Sequence, residues 1–103
     1  MPIEVKCPTV REQYEAFNRY RPKDCLLGIT MGDFVEFLGD DAPTVSEALG
    51  IVLTYRRDGV GGRLPMCAIP TSCLPRYLNR LEDQGHQVAI LSRAETSEGR
   101  VIA

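Results

Sequence analysis

A chain of 103 residues is enough for one domain with a single core, and 44% apolar and 25% charged residues are ordinary for a water-facing globule. No apolar run approaches the ~20 residues of a membrane span, and Met1-Pro2-Ile3-Glu4-Val5-Lys6 lacks the basic-then-apolar design of a secretory leader, so a cytoplasmic setting is expected. The net charge of −2, from 12 basic and 14 acidic residues, excludes a strong general DNA binder by charge alone, because such affinity comes largely from neutralising phosphates.

Residues 1–8, with two prolines and little pattern, read as a loose arm. From Thr9 a helix is expected, with Thr9 as cap, Glu12 completing a capping box, and Val10, Tyr14 and Phe17 on one face. It stops before Pro22. Cys25 to Thr30 suits a buried strand, Gly32-Asp33 a turn, and Phe34 to Leu38 a second strand. Asp40-Asp41 offers an N-cap to a short helix that buries Ala42, Val45 and Leu49 and ends at Gly50. Ile51 to Tyr55 reads as a strand, 56–63 as an exposed hairpin loop, and Leu64 to Ile69 as a returning strand. Pro65 in that strand implies an edge position or a bulge. Ser72 is a plausible cap for a helix whose stripe is Leu74, Tyr77, Leu78 and Leu81, and Gln87 to Leu91 forms a last strand. The polar stretch 94–103 is expected to fray. The order predicts an α/β domain over 9–93, with a mixed β-sheet flanked by about three helices.

Cys7, Cys25, Cys67 and Cys73 form no Cys-x-x-Cys pair, and the single histidine, His86, is thirteen residues from the nearest of them. Zinc ligands normally pair at short spacing, so reduced structural thiols are expected rather than a metal site or disulfide framework. No nucleophile–base pair stands at a recognisable spacing, and Asp40-Asp41 is explained by the helix cap, so no enzyme is expected. The chain has no Gly-x-x-x-x-Gly-Lys-Ser/Thr loop, and no cofactor is expected.

Three stretches then stand in register. The first is Met31-Gly32-Asp33-Phe34-Val35-Glu36-Phe37 with Asp40-Asp41-Ala42, and the second is Leu49 through Arg56. The third is Pro65-Met66-Cys67-Ala68-Ile69-Pro70, continuing into Tyr77-Leu78-x-x-Leu81 and Gln84-Gly85-x-x-Val88-Ala89-Ile90. Over about residues 9–93 the chain resembles the N-terminal mismatch-recognition domain (domain I) of MutS DNA mismatch repair proteins, and a stand-alone form of it is expected. The resemblance implies that Phe34 enters the minor groove and stacks on a mispaired base, and that Glu36 hydrogen-bonds that base. It also implies that Arg56 lies near DNA. Arg57 and Arg63 would extend that patch, and Met31 and Met66 are expected either to flank the wedge or, as methionines beside apolar runs, to join the core.

From periodicity alone, the same strand could bury one face with Phe34 at its rim and Glu36 in solvent. Likewise the loop 56–63, three arginines against Asp58, fits either phosphate contact or ordinary solvation. The chain departs from the family pattern at Thr30, Val35, Thr71-Ser72 and Ser92-Arg93, each of which loses a polar or aromatic handle. The expected partner is mismatched or distorted duplex DNA, bound weakly by the domain alone. The alternative is a protein-interaction module that keeps the fold and binds a repair protein or a full-length MutS relative.

Overall fold

The computed structural model describes residues 3–6, 9–91, 93–96 and 99–102. Its first half runs β1 (Ile3–Lys6), α1 (Val10–Asn18), β2 (Cys25–Met31), β3 (Phe34–Leu38) and α2 (Asp41–Leu49). There follow β4 (Thr54–Arg57), β5 (Arg63–Pro70), a 3-10 turn (Thr71–Cys73), α3 (Leu74–Asp83), β6 (Gln87–Leu91), β7 (Arg93–Thr96) and β8 (Gly99–Ile102). The main sheet has the order β4-β5-β3-β2-β6; β2 and β6 are parallel and every other neighbouring pair is antiparallel. This is the mixed α/β sheet with three helices that the sequence predicts.

The chain ends depart from expectation. Ile3–Lys6 pairs with Gly99–Ile102, which pairs in turn with Arg93–Thr96, so the expected loose arm and fraying tail supply a second, three-stranded sheet. The cue was the period-two alternation Ile3-Glu4-Val5-Lys6, which becomes a strand only when a partner arrives from the other end of the chain. Cys7 and Ser92 lie outside the described residues.

Alternation along the strands divides the main sheet into two faces. One carries Val35 and Phe37 of β3 beside Cys67 and Ile69 of β5. These are buried under Ala42, Val45 and Leu49 of α2 and Leu81 of α3. The other carries Leu27 and Ile29 of β2, covered by Phe17 of α1. Gly28 lies where the first layer is tightest: a Cβ there would stand 2.7 Å from Val35 Cγ1 and 2.8 Å from Ile90 Cδ1.

Several local expectations change. Thr9 caps α1, accepting from the Glu12 amide at 3.1 Å, and its hydroxyl also donates to the Glu12 carboxylate. The face that α1 buries is Gln13, Ala16 and Phe17, since the helix must cover the sheet with its middle and last turn. Asp40 makes no side-chain cap bond to α2. Asp41 is the engaged carboxylate, accepting from the Leu27 amide at 2.9 Å and from the Arg21 guanidinium. Ser72 does not cap α3, because the 3-10 turn occupies 71–73.

β4 starts at Thr54 rather than Ile51, since the Ile51 carbonyl accepts from the Ser46 hydroxyl at 2.5 Å instead of joining a ladder. Pro65 is neither at an edge nor in a bulge: β5 is the second strand, with continuous register on both sides. Its carbonyl accepts from the Gly39 amide at 2.9 Å. The missing Pro65 donor therefore points just past the end of β3, where no ladder bond is lost.

Candidate nucleic-acid interface

β2 and β3 form a hairpin closed by two residues, with Met31 paired to Phe34. Gly32 takes φ +62, a conformation that a tight hairpin needs at its first turn position and that glycine adopts without steric cost. The Thr71 amide donates to the Asp33 carbonyl at 2.8 Å, tying this tip to the end of β5. Phe34 is thus placed at a braced sheet end, beside Pro70. Its neighbours Val35 and Phe37 are 1% and 0% exposed, yet Phe34 is 47% exposed. Full burial of a Phe side chain is worth about 1.5–3 kcal/mol, so a ring left half in water forgoes on the order of 1 kcal/mol of folding energy.

Glu36 lies two residues on and shares the face of Phe34. Register places Ala68, Met66 and Pro70 of β5 on that face, together with Met31 of β2 and Arg56 of β4. Both methionines are half-buried. Arg56 crosses β5 to Glu36, its Nη1 donating to Oε1 at 2.5 Å, with side chains 32% and 13% exposed. Ion pairs of this exposure contribute about 0–1 kcal/mol to stability.

The expected arginine patch is divided by the same alternation. Arg57 pairs with Arg63 on the opposite face, where the Arg63 guanidinium lies 4.6 Å from the Tyr55 ring centroid. Like charges directly opposed on a ladder are unfavourable, and neither arginine meets a carboxylate among the described residues. With Gly59, Gly61 and Gly62 they line an open depression of about 540 Å³.

Asp58, set against three arginines in a loop expected to be exposed, is only 2% exposed. It accepts from the Val60 and Gly62 amides, each at 2.9 Å, and from Arg11 of α1 at 3.0 Å. The Val60 amide does most to hold the Asp58 carboxyl below its ordinary value, against the cost of burial, with the Gly62 amide and Arg11 adding to it. The three-arginine loop therefore keeps two free charges, with Arg56 matched by Glu36 and Asp58 by Arg11. Spacing offered no signal for either long-range pair.

Cys67 is buried, and that burial pushes its thiol up to about 11, so it is a core residue rather than a nucleophile. Cys25, Cys67 and Cys73 are free thiols. Among the described residues no group of three His, Cys, Asp or Glu could hold a metal, and no helix is long and apolar enough to cross a membrane.

The mixed sheet with three helices defines an α/β domain whose braced hairpin carries Phe34 and Glu36 on one face. The model of MutS domain I matches residues 8–102, and the chain belongs to that family. It is similar to the DNA mismatch repair protein MutS of Methanosarcina acetivorans, 41% identical over 93 residues, or 89% of this chain and 10% of that protein. It is also similar to the MutS proteins of Rhodopseudomonas palustris, 40% identical over 94 residues (91% of this chain, 10% of that protein), and Clostridium tetani, 44% identical over 73 residues (71% and 8%). The chain spans about a tenth of the length of these relatives.

Proposed function

We propose that the chain is a DNA-binding module of mismatch repair. In this reading it senses mispaired or deformable duplex with Phe34 as a minor-groove wedge and Glu36 as a contact to the displaced base. The observation that carries the reading is Phe34 itself, a ring half in water at the start of a strand whose other apolar side chains, Val35, Phe37 and Leu38, are buried. An apolar wedge costs a few kcal/mol of base stacking, offset by contacts to the kinked duplex. A mispaired base is already weakly held, so the same wedge costs less there, and discrimination comes from deformability rather than sequence. Met31, paired with Phe34, supports the ring as a polarisable flank, while Met66, opposite Leu38, lies farther along the same face. Arg57 serves as a phosphate contact from the far side of the β4–β5 hairpin, and the module acts by binding, with no catalytic step and no cofactor.

With a net charge of −2, the module alone holds duplex weakly, at or beyond the ~10⁻⁴–10⁻⁶ M of non-specific binding. Further phosphate contacts then come from a repair protein or a full-length MutS relative. Fluorescence anisotropy with a mismatched and a matched duplex at low salt tests the reading. Tighter binding of the mismatched duplex, lost in Phe34→Ala, is expected. Equal binding of both duplexes, unchanged by Phe34→Ala, refutes it and leaves the protein-interaction module as the reading.

A further inference from the structure

We infer that Arg56 is a specificity-determining positioning residue that acts through Glu36 rather than as a phosphate anchor. The inference rests on the reading of Phe34 and Glu36 as the DNA probe. Of the three arginines on the β4–β5 hairpin, Arg57 and Arg63 share one face and meet no carboxylate among the described residues. Arg56 alone is turned to the Phe34 face, and there its Nη1 donates to Glu36 Oε1 at 2.5 Å from two strands away.

Two consequences follow from that contact. A bare carboxylate brought into a groove is repelled by the phosphates of any duplex, matched or not. With a guanidinium touching it, the probe approaches as a nearly neutral pair, and this repulsion is largely offset. The bond also engages one carboxylate oxygen and restrains the side chain on the Phe34 face. Oε2 lies outside this bond and serves as the acceptor for an N–H of a displaced base. A matched duplex offers no displaced donor, so that oxygen gains nothing there. Loss of Arg56 therefore harms binding of the mismatched duplex more than that of the matched one.

A double-mutant cycle on the full chain tests this. Wild type, R56Q, E36Q and R56Q/E36Q are titrated by anisotropy against both duplexes at two salt concentrations. R56Q is expected to reduce the mismatched-to-matched preference about fivefold, the upper range for an exposed ion pair. It should weaken matched binding less than mismatched binding, through the unmasked Glu36 charge, and have no effect on preference in the E36Q background. R56K, which returns the charge, should recover most of the preference.

The opposite pattern overturns the inference: equal weakening of both duplexes in either background, with the salt slope falling by about one phosphate contact. The probe reading then still stands, because Phe34→Ala continues to abolish preference. A wild-type chain with no preference at all overturns both.

Discussion

At Phe34 and Asp58 the chain places two residues against their ordinary habits, an apolar ring outside and a carboxylate inside. The second has a consequence for stability. The depressed pKa of Asp58 means that its contribution is present above the unfolded value of about 3.8 and is lost as pH falls through the lower folded value. Thermal melts across pH 2 to 5 should therefore show an acid loss of stability that is reduced in Asp58→Asn. An unchanged acid profile in that variant would mean that the buried carboxylate is not what links the loop to pH. Asp58 was invisible in the sequence because its partner Arg11 stands 47 residues away and its other partners are backbone amides. Phe34 and Glu36, by contrast, share one sheet face as the strand period implied, and the family motif is what singled them out.

Among the elements, those with a strong local pattern were read within a residue or two: β3 and β6 match their expected bounds, and the apolar stripe of α2 is the buried one. What failed depended on long-range pairing. The strand Ile3–Lys6 exists through Gly99–Ile102, and Pro65 is tolerated in an inner strand because β3 ends beside it. The close approach at Gly28 is likewise a property of three strands together. Gly28→Ala forces its new methyl against Val35 and Ile90, and overpacking of this kind costs about 1–3 kcal/mol. Chemical denaturation should show a lowered midpoint with an unchanged slope. A midpoint equal to wild type would indicate that β2 and β6 can separate without penalty.

For the molecule as a whole, charge and topology limit what the domain does alone. Of the four arginines discussed, Arg11 and Arg56 are spent on Asp58 and Glu36, and the two left over face away from Phe34. The Arg56 and Glu36 charges on the Phe34 face are thus paired, and in the proposed reading such a face probes a groove rather than grips a backbone. An NMR titration of the labelled chain with a mismatched duplex locates the contact. Shifts centred on Met31, Phe34, Glu36, Arg56 and Met66, weaker with the matched duplex, are expected. Shifts confined to α2 and α3, or identical for the two duplexes, would show that this face is not a mismatch probe.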